Sequence, residues 1–263
     1  MGGSWQRFVA VGDSLTEGLG DPDTAGGWRG WADRFAVGLA EHQGGLQYAN
    51  LAVRGLTTAQ VAADQLEPAL ALAPDLVSVF TGMNDLIRPT TDLPAVTASL
   101  VDMVEAFTAT GATVLMCTLP DPSVVVAAPN AVRRRFSARL AAFNRTVLTV
   151  AEQHGAHCLD LAAQAETDRG GWSDDRLHPG PYGHQLLADG FLTMLTGSPS
   201  GDPAETPSTL AATDGLLAKL RWLSGTVAPW VLQRFTGRGE PEVLVAKLPR
   251  YLALPTLSPA DSG

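Results

Sequence analysis

Five short apolar runs, at residues 7–11, 47–51, 75–80, 113–119 and 157–161, punctuate the first three-quarters of this chain. Runs of this length without strict alternation read as strands buried on both faces. Between and after them, residues 28–41, 57–72, 93–110, 131–154 and 181–195 space their apolar side chains by three and four, the pattern of amphipathic helices. A helix between successive strands requires parallel pairing and places helices on both faces of the sheet. The fold class expected is therefore α/β: a doubly wound, three-layer sandwich around a five-stranded parallel sheet. In such a sheet, reactive side chains gather at the carboxyl ends of the strands.

The pattern stops at 196. Residues 197–208 are rich in Gly, Ser and Pro and read as a linker, which divides the chain into a 1–196 domain and a 209–263 extension. Within that extension, 210–235 is apolar and helix-like, with Leu210, Leu216, Leu217, Leu220 and Leu223 near helical spacing. Residues 209–250 carry six basic and three acidic side chains, a net +3 against −12 for the rest. The expectation is a helical C-terminal extension docked on an acidic domain, with a lid or membrane-surface element built on Trp222, Trp230 and Phe235 as the other reading. No internal repeat is visible.

Composition removes several function classes. With 27 acidic and 18 basic residues the chain carries −9, which argues against nucleic-acid partners, since phosphate contacts need a basic face. No apolar run reaches the roughly 20 residues of a membrane span. The first residues lack a basic segment followed by a long apolar one, so a cytoplasmic location is expected. Cys117 and Cys158 are too far apart for CxxC spacing and read as reduced thiols.

Four segments carry chemistry. Gly12-Asp13-Ser14-Leu15 follows the first strand and places a hydroxyl at the sheet edge. Asp175-Arg176-Leu177-His178 follows the fifth, and its spacing lets one turn of chain bring Asp175 onto one ring nitrogen of His178 while the other faces the cleft. Asn84, in Gly82-Met83-Asn84-Asp85, stands after the third strand, and Gly55 stands after the second. Each alone has a plain reading as a turn or cap. Together they fill an acyl-transfer site: Ser14 as nucleophile, His178 as base, Asp175 as its orienting partner, and the Ser14 N–H, Gly55 N–H and Asn84 amide as oxyanion donors. His42, His154, His157 and His184 lack a comparable partner and read as surface or core residues.

These segments resemble the blocks of the SGNH hydrolases, also called GDSL esterases and lipases. Gly12-Asp13-Ser14-Leu15 is similar to the first block, Gly55 within residues 50–55 to the second, Gly82-Met83-Asn84-Asp85 to the third and Asp175 to His178 to the last. The resemblance covers residues 5–196. It implies a flavodoxin-like sheet of order 2-1-3-4-5, a serine esterase mechanism, and no metal or cofactor. The absence of Gly-x-Ser-x-Gly separates the chain from the α/β-hydrolase fold.

The activity expected is hydrolysis of small-molecule or lipid carboxylic esters through an acyl-enzyme on Ser14. An acyltransferase using the same intermediate, and a non-catalytic binding protein on the same fold, are the alternatives. Arg133, Arg134, Arg135 and Arg139 read as a solvated helix face, or else as an anion site. Trp28, Trp31 and Trp172 flank the motif loops, as packing residues or as walls of an acyl pocket.

Overall fold

The apolar runs form strands β1 (Arg7–Gly12), β2 (Leu46–Asn50), β3 (Leu76–Phe80), β4 (Thr113–Cys117) and β5 (His157–Leu159) in the computed structural model of the protein. The structure describes residues 4–88, 90–122, 129–165, 169–201, 205–207 and 245–255. All five strands are parallel, with β1 between β2 and β3, then β4 and β5 outward from β3. This is the expected order 2-1-3-4-5. Phe8, Val9, Ala10 and Val11 of β1 are all completely buried, as a central strand covered on both faces requires.

The helices are α1 (Ser14–Glu17), α2 (Gly30–Gln43), α3 (Thr58–Ala71), α4 (Met83–Ile87), α5 (Leu93–Ala109), α6 (Asn130–His154), α7 (Leu161–Ala165) and α8 (Pro181–Thr196). On one face α2 packs against α8; on the other α3 packs against α5, and α5 against α6. The α2/α8 layer is anchored by Trp31, Phe35 and Phe191, with the Trp31 and Phe191 ring centroids 5.0 Å apart. Local chemistry sets several helix starts. The Gln60 side chain accepts from the Thr57 N–H at 3.0 Å, and Asp92 caps α5, whose first turn holds Pro94.

The five-stranded expectation needs correction. A sixth strand, β6 (Leu248–Leu254), lies antiparallel against β2, giving the order β5-β4-β3-β1-β2-β6. It comes from the segment assigned to the extension. β6 covers the outer edge of β2, which would otherwise present unpaired N–H and C=O groups. Its burial recurs at Leu248, Tyr251 and Leu254, every third residue, so it has no period-2 signal. β5 is shorter than expected because Leu161 already begins α7. The helix expected over 210–235 lies outside the described residues. Among the described residues no helix is long and apolar enough to cross a membrane.

The chain leaves β1 toward β2 on one side and later returns on the other through β3. The carboxyl ends of β1 and β3 therefore flank the topological switch point, where open α/β sheets form their crevice.

Candidate active site

β1 ends at Gly12, which is pressed so closely on β3 that a Cβ there would stand 2.4 Å from the Phe80 carbonyl oxygen. Only glycine fits. Gln65 of α3 holds this turn from the side, its Oε1 accepting from the Gly12 N–H at 2.9 Å and its Nε2 donating to the Gly12 carbonyl at 2.8 Å. Asp13 then caps α1, its Oδ1 accepting from the Leu15 N–H at 3.1 Å, which makes Ser14 the first residue of the helix. Ser14 is thus set on a turn fixed from two sides.

His178 reaches Ser14 from the far end of the sheet, with Nε2 2.9 Å from the Ser14 Oγ and Nδ1 2.6 Å from the Asp175 Oδ2. A carboxylate only accepts, so Asp175 places the ring proton on Nδ1 and leaves Nε2 to accept from the serine hydroxyl. The turn that presents them is tight, with Arg176 in the left-handed region at φ 60°. Asp175 Oδ1 secures it by accepting from the Ser173 hydroxyl at 2.7 Å, the Leu177 N–H at 2.8 Å and the His178 N–H at 2.9 Å. Burial acts to raise the Asp175 pKa. The hydrogen bond and charge of His178, with the backbone N–H groups of His178 and Leu177, reverse this and hold it well below the usual carboxylate range.

Asn84, the second residue of α4, meets the Ser14 turn through Asp13. Its Nδ2 donates to Asp13 Oδ2 at 3.1 Å and to the Leu56 carbonyl at 3.0 Å, so both amide hydrogens are engaged. Asp85 next to it accepts from the Thr58 N–H and hydroxyl, both at 2.9 Å, which ties α4 to the start of α3. Asp13 is completely buried. Burial pushes its pKa up to about 6, against the lowering pull of the Leu15 N–H, the charge of His178 and the Asn84 amide.

Ser14, His178 and Asp175 are thus joined in one hydrogen-bonded chain, and Asn84 is tied to the Ser14 turn through Asp13. Gly55 lies between Arg54 and Leu56, both bonded to site elements, and adopts φ 82°, which favours glycine. Sequence reasoning missed Asp13, which links Ser14's turn to Asn84, and the Ser173 hydroxyl on Asp175. Asp13 was legible as an N-cap, whereas nothing in the sequence marks Ser173.

Of the remaining candidates, His184, Trp31 and Trp172 are buried packing residues. His184 is buried and neutral in role: Nδ1 accepts from the Trp31 N–H at 3.0 Å, Nε2 lies 3.0 Å from the Leu19 carbonyl, and burial lowers its pKa to about 4. Trp31 is a core side chain and not a pocket wall, and Trp172 is 4% exposed. Arg133, Arg134 and Arg135 are exposed on α6.

Residues 10–186 match the family described as GDSL-like Lipase/Acylhydrolase. The acetylxylan esterase of Geobacillus stearothermophilus is 27% identical over 214 residues, which span 73% of this chain and 95% of that protein. Its crystal structure superposes with a TM-score of 0.61 at 22% identity, covering 74% of this chain and 95% of the other. The crystal structure of TesA gives a TM-score of 0.59 at 25% identity over 73% and 99% of the two chains. The psychrotrophic esterase EstA of Pseudoalteromonas sp. shares the fold at 17% identity and a TM-score of 0.56, over 73% and 97%.

Proposed function

Because the chain belongs to the GDSL-like lipase/acylhydrolase family and is a carboxylic ester hydrolase, we propose that it works through an acyl-enzyme on Ser14. The observation that carries this reading is the continuous relay from Ser14 Oγ through both nitrogens of His178 to Asp175, at 2.9 and 2.6 Å.

In the first half-reaction Ser14 Oγ attacks the ester carbonyl carbon as His178 Nε2 takes its proton. Asp175 stabilises the imidazolium and holds its orientation. The tetrahedral oxyanion takes hydrogen bonds from the Ser14 N–H, the Gly55 N–H and the Asn84 amide. One Asn84 N–H exchanges its acceptor, Asp13 Oδ2 or the Leu56 carbonyl, for the oxyanion. The carbon–oxygen bond to the alcohol breaks, and His178 returns its proton to that leaving group. Water, deprotonated by the same nitrogen, then attacks the acyl-serine, and the carboxylic acid leaves while Ser14 recovers its proton.

The likeness to an acetylxylan esterase supports short acyl groups, acetyl first among them. Two measurements on the purified protein test the whole reading. Fluorophosphonate labels Ser14 and not the Ser14→Ala variant, and a series of p-nitrophenyl esters from acetate to decanoate shows turnover that falls with chain length. A folded protein that takes no label refutes the acyl-enzyme, and a maximum at decanoate refutes the short acyl pocket.

A further inference from the structure

We infer that the ion pair between Glu17 and Arg54 is a positioning device for the oxyanion hole, an inference that rests on the acyl-enzyme reading above. Glu17 is the last residue of α1, the helix that Ser14 begins, and Arg54 immediately precedes Gly55. One carboxylate holds Arg54 by both backbone and side chain. Glu17 Oε2 accepts from the Arg54 N–H at 2.7 Å, while Oε1 accepts from Nε at 2.9 Å and also meets Nη2. The Glu17 side chain is 11% exposed and that of Arg54 35%, so the carboxylate end of the clasp is the shielded one, and its bond to the Arg54 backbone adds to what a surface ion pair supplies.

The geometry explains what the clasp does. The direction of the Gly55 N–H is set by the peptide linking Arg54 to Gly55, and Arg54 is pinned on the amino side of that peptide by Glu17. On the other side the Leu56 carbonyl is pinned by Asn84, itself an oxyanion donor. Gly55, at φ 82°, joins these two fixed residues in a conformation that favours glycine. Just upstream, the end of β2 is tied to α1 through Asn50 Nδ2 to the Thr16 carbonyl at 2.9 Å, and the loop is tied to the end of β1 through the Val53 N–H to the Gly12 carbonyl at 3.3 Å. Nucleophile and donor therefore ride on one rigid unit. Charge matters as well: the guanidinium of Arg54 neutralises a carboxylate that would otherwise oppose an oxyanion forming nearby.

A second contact steadies the unit from outside. Lys247, one residue before β6, donates to the Glu17 carbonyl at 2.9 Å and the Arg29 carbonyl at 2.6 Å, and pairs with Asp33 at 2.9 Å. The C-terminal segment is thereby joined to the end of α1.

The test compares Glu17→Ala, Glu17→Asp and Glu17→Gln with wild type, using p-nitrophenyl acetate as substrate and phenylboronic acid as a tetrahedral adduct of Ser14. Glu17→Ala lowers kcat by about ten- to a hundredfold with KM within about twofold, because a displaced donor weakens only the transition state. The inhibition constant of phenylboronic acid rises by a similar factor. Glu17→Gln keeps an acceptor for the Arg54 N–H and stays within about fivefold of wild type, which a role for bulk stability would not predict. Should Glu17→Ala fail to fold, Glu17→Asp keeps the charge but draws it back by one methylene, and gives the same kcat loss and boronate weakening. Unchanged kcat and boronate affinity in whichever of Glu17→Ala and Glu17→Asp folds overturn the clasp while leaving the esterase reading standing. A wild-type protein that neither hydrolyses the ester nor takes a fluorophosphonate label overturns that reading and the clasp with it.

Discussion

Asn84 donates a hydrogen bond to the carboxylate of Asp13 across the crevice between the β1 and β3 ends, at 3.1 Å. The contact joins the turn that carries the proposed nucleophile to the side chain proposed to stabilise the oxyanion. Replacing Asn84 by Ala should therefore do two things at once. It lowers kcat by about 10² to 10³ with a smaller change in KM. It also leaves a buried carboxylate short of a partner, at a cost of about 1–3 kcal/mol in unfolding free energy. Steady-state kinetics and urea denaturation of one variant check both; a pure KM effect would contradict the oxyanion role.

Ser14→Ala and His178→Ala are each expected to lose at least about 10³-fold in kcat, with the double variant little worse, because the two act as one unit. Circular dichroism should show all three folded. Losses that multiply in the double variant would separate the residues into independent roles.

Asp13 and Asp175 should bend the pH dependence of stability in opposite directions. Burial raises Asp13 to about 6, so between about pH 4 and 6 the folded state keeps a proton that the unfolded chain releases. Stability falls as pH rises through that window, by an amount of order 3 kcal/mol, and is level above it. Asp175 is lowered, with its chief opposing cause, burial, outweighed by His178. Its contribution is full above the unfolded carboxylate value of about 3.9 and drains away as pH falls further. Unfolding curves of wild type, Asp13→Asn and Asp175→Asn from pH 3 to 7 test this. Wild type should lose ground to Asp13→Asn between pH 4 and 6, and its advantage over Asp175→Asn should shrink below pH 4.

Arg34 and Asp21 form a buried pair, 4% and 3% exposed, with Nε to Oδ2 at 2.8 Å and Nη2 to Oδ1 at 3.0 Å. Arg34→Met strands the carboxylate and is expected to cost about 3–5 kcal/mol by denaturant unfolding. The ester turnover of the folded fraction should stay near wild type, since neither residue touches the relay.

Removing residues 197–263 takes away β6 and the Glu205 carboxylate that meets Arg34 at 2.9 Å. The shortened protein should melt at lower temperature and aggregate, because β2 becomes an open edge. An unchanged melting temperature would show that the segment contributes nothing to the sheet.

Legibility in the sequence followed physical distinctness. Apart from the exposed Arg7 and the buried Ser78, β1 and β3 are apolar because both faces are covered, so composition marks them. Asp175 and His178 were readable because their partnership spans one turn of chain. β6 escaped because it lies on an edge, contains Pro249, and only half-buries every third side chain. α1 and α4 span four and five residues, too short for helical periodicity to register, yet they carry Ser14 and Asn84. The links from Glu17 to Arg54 and from Lys247 to the Glu17 carbonyl join residues 37 and 230 positions apart, which no local pattern encodes.

The antiparallel strand also has a meaning in time. Leu46 pairs with Leu254, 208 positions later in the chain. A ribosome adding about 5–20 residues per second needs on the order of 10 to 40 seconds to cover that interval. For that long the nascent β2 has its inner neighbour available and its outer one still unmade. The newborn protein therefore passes through a stage in which its proposed catalytic residues have emerged while one flank of its sheet is open to another chain, and slow codons or a holding chaperone acting in that interval would change the yield of folded protein more than the same delay imposed earlier.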